Sequence, residues 1–224
     1  MTVDNRIEVS SAPSQTPPPV VRRSAKGGNI NITSGKSTGV AINISSSAQL
    51  LALLDAAAPG PGGKITILAT GATSHANVSG TVRTDRGTVD IRNTGSSGVI
   101  NLTNADVRAD VVKVGALGTN GTLNIGGGTL SADTTLKLYS PGSNGTIDFI
   151  ADVTLGGAGA KIIAGNTVTI FNSVVVTIGG SNPANVYTIH ANYSDAFGGN
   201  GTTTGTFAGA GANNPQPLTS APGF

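Results

Sequence analysis

Three carboxylates recur at nearly equal intervals in one local context. Val82-Arg83-Thr84-Asp85, Val107-Arg108-Ala109-Asp110 and Leu130-Ser131-Ala132-Asp133 set Asp85, Asp110 and Asp133 at spacings of 25 and 23, with Arg83 and Arg108 two positions earlier. If each interval is one turn of a coil, the carboxylates stand in a file along one edge. The arginines then stack in the neighbouring column. Such groups could hold a cation or act on an acidic polysaccharide. A lyase needs carboxylates around Ca²⁺ plus a base, and a hydrolase needs two carboxylates at a defined separation. One acid per turn, without clustered partners, is poorly suited to either, and like charges stacked across strands repel. Asp at a strand end more often caps a turn through its own side chain. Turn capping is the favoured reading, with weak ion binding and catalysis as its alternatives. No catalytic, cofactor-binding or metal residue is assigned.

Other reactive-looking residues carry less. Ser34-Gly35-Lys36-Ser37-Thr38 looks like the end of a phosphate-binding loop, but Ile30 stands where the leading Gly is needed. A strand pattern, Val40-Ala41-Ile42-Asn43-Ile44, follows where a helix must aim its N–H groups at the phosphate. His75 and His190 lie far apart in sequence, away from metal-ligand spacing. Tyr139, Tyr187, Tyr193, Phe149, Phe171, Phe197 and Phe207 could form a sugar-stacking strip, but most sit in or beside apolar strand runs, which favours packing. Eight Asn-x-Ser/Thr triplets, at Asn31, Asn43, Asn77, Asn101, Asn120, Asn144, Asn192 and Asn200, are expected in a chain so rich in Asn and Thr; they matter only in a secretory system that glycosylates them.

The elements that would position these residues are strands. Alternating runs such as Lys64-Ile65-Thr66-Ile67-Leu68, Thr88-Val89-Asp90-Ile91-Arg92, Val99-Ile100-Asn101-Leu102-Thr103, Thr135-Leu136-Lys137-Leu138-Tyr139 and Thr146-Ile147-Asp148-Phe149-Ile150 are short and separated by Gly, Asn or Ser. That is an all-β signature. Strand starts at Ile65, Val89, Val112, Leu136, Ile162 and Val186 recur at spacings of 24, 23, 24, 26 and 24, so a period near 24 runs over five to six repeats. One repeat has no helix and cannot bury its own apolar face. Stacking solves this if each strand pairs in parallel with its equivalent one turn later, at a rise of about 4.8 Å. The expected fold is a right-handed single-stranded parallel β-helix (a β-solenoid), the hand following the rule for parallel crossovers. Inward columns are Val, Ile and Leu; outward columns are Thr, Asn and Ser. Gly and Asn take the corners, where left-handed backbone angles cost little.

One segment breaks the pattern. Ser47-Ala48-Gln49-Leu50-Leu51-Ala52-Leu53-Leu54-Asp55-Ala56-Ala57-Ala58 is built from strong helix formers and is stopped by Pro59-Gly60-Pro61. It predicts a short helix near 47–58, either capping the open end of the coil or inserted between turns. Residues 1–26, with Pro13 and Pro17 to Pro19, predict a flexible Pro/Ser-rich segment. The β-helix is expected over 27–195, and an irregular Gly/Thr/Pro-rich tail over 196–224.

Composition narrows the function. Charged residues are 11% of the chain, against about 25% in an ordinary soluble domain. Thirteen basic and eleven acidic groups leave a net charge of +2, too small for an electrostatic footprint on nucleic acid. No Cys is present, so there is neither a disulfide framework nor a thiol nucleophile. No apolar run approaches the roughly 18 residues of a transmembrane segment. Residues 1–20 lack the apolar stretch of a secretory signal, which fits the end of a longer polypeptide.

Gly27-Gly28-Asn29-Ile30-Asn31-Ile32, Gly62-Gly63-Lys64-Ile65-Thr66-Ile67, Asp85-Arg86-Gly87-Thr88-Val89-Asp90-Ile91 and Gly121-Thr122-Leu123-Asn124-Ile125-Gly126-Gly127-Gly128 together resemble filamentous-haemagglutinin-type bacterial surface proteins. Residues 139–224 resemble the C-terminal region of large proteins of that kind. The resemblance implies a parallel β-helix, export to the bacterial cell surface or beyond it, and adhesion or surface structure. The expected function is a non-enzymatic structural or adhesive rod with polar faces for carbohydrate or a surface protein. The alternatives are a self-assembling fibre subunit that stacks end to end as a homo-polymer, and a polysaccharide lyase or hydrolase using the Asp column.

Overall fold

The computed structural model describes residues 2–3, 6–8, 28–54, 62–156, 161–171, 174–179, 188–190, 202–204 and 207–209. In chain order the strands are β1 (Thr2–Val3), β2 (Arg6–Glu8), β3 (Asn29–Ser34), β4 (Thr38–Ile44), β5 (Gln49–Ala52), β6 (Lys64–Ala69), β7 (Thr73–Val78), β8 (Thr81–Thr84), β9 (Thr88–Asn93), β10 (Val99–Ala116), β11 (Thr122–Ser140), β12 (Thr146–Ala151), β13 (Val153–Gly156), β14 (Lys161–Ala164), β15 (Thr167–Ile170), β16 (Val176–Gly179), β17 (Thr188–His190), β18 (Thr202–Thr204) and β19 (Phe207–Gly209). They pair in parallel with their counterparts one turn away, so the chain is an all-β solenoid of about 24 residues per turn.

The solenoid has three faces. On the first, β3, β6, β9, the 111–116 end of β10, the 135–140 end of β11, β14 and β17 follow one another. The second runs through β1, β4, β7, the start of β10, the start of β11, β12, β15 and β18. The third runs through β2, β5, β8, the middles of β10 and β11, β13, β16 and β19. β10 and β11 are long because each bends through corners with only local interruptions of their mutual pairing.

Alternation decides which side chains enter the coil. Ile65, Val89, Val112 and Leu136 form one buried column; Ile67, Ile91, Val114, Leu138 and Ile162 form the next. Ile100, Leu123, Ile147 and Val168 line the second face, and Val82, Val107, Leu130 and Leu155 the third. Burying one such side chain contributes about 1.5–3 kcal/mol. No turn could bury these residues alone, so stability is shared between neighbouring turns. Ile162 stands opposite Leu138, not Leu136, so the step there equals that from Val114 to Leu138 and the long interval of the expected series moves one turn on, to the step from Ile162 to Ile189. The successor of Ile162 is Ile189; Val186, expected in that place, lies outside the described residues.

The helix expected near 47–58 is not formed over its described part. Gln49–Ala52 is strand β5, paired with β2 and β8, and Leu54 makes a bridge. Leu50 and Ala52 are in the core. Helix propensities differ by only tenths of a kcal/mol among ordinary residues. Burial of Leu50 and two flanking ladders outweigh them. Residues 55–58 lie outside the described residues. The segment is where the period stretches: the step from Ile30 to its partner Ile65 is nearly half as long again as the step from Ile65 to its partner Val89. β1 and β2 fall within the segment expected to be flexible, and β18 and β19 within the expected irregular tail.

The corners use glycine for closeness more than for left-handed angles. Among the described glycines only Gly39, Gly127 and Gly128 have positive φ. Gly71, Gly95, Gly118, Gly142 and Gly165 instead stack at one corner. A Cβ on Gly95 would run into the Gly71 carbonyl oxygen, one on Gly118 into that of Gly95, and so on up the column.

Candidate functional site

Asp85, Asp110 and Asp133 follow the third-face strands, at the corner with the first face. Arg83 is opposite Arg108 and Arg108 opposite Ser131. The carboxylate of Asp85 accepts a hydrogen bond from the Leu54 backbone N–H at 3.3 Å and lies 3.5 Å from Arg83 Nη2. Asp85 thus caps backbone, but of the preceding turn. Asp110 meets a bulge in the register at Asp133–Thr134, and its carbonyl accepts the Thr134 hydroxyl at 2.9 Å. The three acids remain one per turn. Among the described residues, no group of three or more His, Cys, Asp or Glu is placed to hold a metal ion.

The second face carries a neutral ladder. Asn43, Asn77, Asn101, Asn124, Asp148 and Thr169 occupy one outward register column. Asn101 Nδ2 donates to Asn77 Oδ1 and Asn124 Nδ2 to Asn101 Oδ1, each at 2.8 Å. Amides suit this stack because each has a donor for one neighbour and an acceptor for the other. Beside it Thr122, Thr146 and Thr167 follow in register, and the backbone of Thr202 continues the row. Asp148 interrupts the amides. Partial burial raises its pKa above the ordinary aspartate value, an effect only partly countered by hydrogen bonds from Thr169 and Thr146. At the next corner Asn144 Nδ2 donates to Asn120 Oδ1 at 2.7 Å. Asn77, Asn101, Asn120 and Asn144, read as glycosylation triplets, are therefore hydrogen-bonded within the solenoid surface.

A buried amide holds the corner between the first and second faces. Asn93 donates to the carbonyls of Ser74 at 2.7 Å and Val99 at 3.1 Å, and its Oδ1 accepts from Gly95 N–H at 3.0 Å. A fully partnered buried amide of this kind fixes geometry strongly.

The first face carries the feature that the repeat reading did not single out. Its outward column reads Asn31, Thr66, Asp90, Lys113, Lys137 and Lys161, and the backbone of Thr188 continues it. Three lysines lie in register on consecutive turns. The signal was present in the sequence as Lys recurring at the repeat interval, twice between β-branched or Leu neighbours (Val112-Lys113-Val114 and Leu136-Lys137-Leu138). Below the lysines, the buried Asp90 is ion-paired with Arg92 Nε at 2.8 Å and Lys64 Nζ at 3.6 Å. Lys137 Nζ lies 5.8 Å from the ring centre of Tyr139. Partial burial, then the charges of Lys113 and Lys161, hold the Lys137 pKa below the ordinary lysine value; burial pushes that of Tyr139 up.

The remaining candidates fall apart in space. Lys36 sits in the connection between β3 and β4, where its Nζ donates to the Val40 carbonyl, and strand follows it. His75 is on the second face and His190 on the first. Phe149 and Tyr139 are buried and Phe171 is exposed, while Tyr187, Tyr193 and Phe197 lie outside the described residues. No helix among the described residues is long and apolar enough to cross a membrane. Comparison of the chain with protein-family models, with curated proteins and with solved structures finds no match.

Proposed function

We propose that the chain is a non-enzymatic structural or adhesive module of an exported bacterial surface protein, of the filamentous-haemagglutinin-like type its Gly-rich turns resemble. Its work is mechanical: a stiff rod that spaces or displays other segments and offers polar faces to carbohydrate or a surface protein. The observation that carries this reading is the parallel ladder, which ties each described turn to the next by backbone hydrogen bonds around one apolar core. The engagement of Asp85 in capping the Leu54 backbone N–H and in pairing with Arg83 supports the structural reading.

Electron microscopy of the purified chain, with antibody labelling of intact producing cells, tests the reading. Single short rods and surface label are expected. Concentration-dependent filaments, abolished by a proline in an end strand, would reassign it as a fibre subunit. Depolymerisation of an acidic polysaccharide that disappears in Asp110→Ala would overturn it in favour of an enzyme.

A further inference from the structure

We infer that the lysine file on the first face binds a linear polyuronate laid along the solenoid axis. The inference deepens the rod reading by naming a partner, and it rests on the rung stacking. Lys113 pairs with Lys137 and Lys137 with Lys161, so their Cα atoms repeat at the strand spacing of about 4.8 Å in a straight line. Like charges directly across neighbouring strands destabilise a sheet. The column could avoid this, as one turn earlier it places Asp90 opposite Lys113 and engages that acid with Arg92 and Lys64. Beyond Asp90 the described column is cationic for three turns in succession.

The shape of the file selects its ligand. A linear polyuronate carries one carboxylate per sugar ring, and rotation about its glycosidic linkages lets those carboxylates turn toward a straight row of cations. Duplex DNA carries one phosphate per about 3.4 Å of helix axis on each strand and winds them off such a row. Single-stranded nucleic acid is held by exposed aromatic platforms, and the ring beside the file, Tyr139, is buried. In the adjoining column Val111 stands between Thr88 and Thr135, and Thr135, two positions before Lys137, adds a hydroxyl beside the file. Partial burial and mutual repulsion both disfavour the charged form of Lys137, and a carboxylate set against the file relieves the repulsion.

The test is electrophoresis of the full chain through gels containing polygalacturonate, neutral dextran or duplex DNA. Polygalacturonate should retard the chain at low salt and release it at several hundred millimolar, where screening is short-ranged. Lys113→Gln/Lys137→Gln/Lys161→Gln should weaken retardation about tenfold, the scale of three exposed ion pairs acting together. The triple Arg variant should retain it, with circular dichroism checking that both variants keep their strands. Unchanged retardation in the Gln variant, no retardation of the native chain, or equal lysine-dependent retardation by duplex DNA would each overturn the inference. Failure of the rod reading would look different: polygalacturonate binding would persist while microscopy showed no surface-borne rods.

Discussion

The first and second faces share one backbone geometry and reach opposite electrostatic outcomes. On the second face Asn77, Asn101 and Asn124 stack in register, and each amide donates to the one before it. On the first, Lys113, Lys137 and Lys161 stack in the same way and repel. In-register parallel stacking multiplies whatever the repeated side chain does to a copy of itself. A group that is both donor and acceptor gains from each added turn, while a group of one charge loses unless a counter-charge is supplied. This separates an outward column that ties its own turns together from one that repels itself.

The comparison can be broken by removing the spacing both faces rely on. Gly118→Ala would drive a methyl into the Gly95 carbonyl at the glycine corner. It should cost about 2–3 kcal/mol and lower the melting temperature by about 5–10 °C. Next in size, Asn101→Asp breaks only the neutral ladder. The donor to Asn77 Oδ1 becomes an acceptor, two oxygens face each other, and a loss of about 1–2 kcal/mol is expected in urea melts.

Asp148→Asn should sharpen the contrast in the other direction. An amide there can donate to Asn124 Oδ1 and extend the ladder, for a gain of about 1 kcal/mol at neutral pH. The sign of the pH dependence follows from the raised pKa of Asp148. Its protonated form is favoured by the fold, so its contribution to stability is full below the unfolded aspartate pKa and is lost as pH rises through the folded value. The advantage of the variant should therefore shrink as pH falls from 7 toward 4, and an advantage that persists unchanged at pH 4 contradicts this account.

The smallest effect belongs to Lys137→Gln, which relieves repulsion on the first face and should stabilise by about 0.5 kcal/mol at neutral pH, measured by chemical melts. Because the Lys137 pKa is lowered, its charged form costs stability at neutral pH, and that cost fades as pH rises toward the lysine range. The gain of the variant should fade with it. Tyr139 acts in the opposite sense: its raised pKa gives a contribution that is lost at still higher pH, in native chain and variant alike.

Much of this was legible without coordinates. The regular recurrence of Val89, Val112 and Leu136 announced stacked turns, and Arg83 and Arg108, matched by their shared context, lie opposite each other in register. The run Gln49-Leu50-Leu51-Ala52 misled because its helix propensity is local, whereas the pairing with Thr81 to Thr84 that overrides it lies more than a full turn further along the chain. The lysine file was hidden in plain alternation: each Lys looked like an ordinary outward residue until its neighbours one turn away were known.

What the chain order alone settled is periodic: alternation assigns each side chain to the inside or the outside, and the repeat length assigns it to a column. What the folded arrangement decided is which side chains meet. It placed Leu54 N–H against the Asp85 carboxylate, moved Ile162 opposite Leu138, and buried Tyr139 beside a lysine row. The physical reason is range. Strand faces follow from the alternation of the extended backbone, but partners across a turn depend on the register that the whole intervening coil allows.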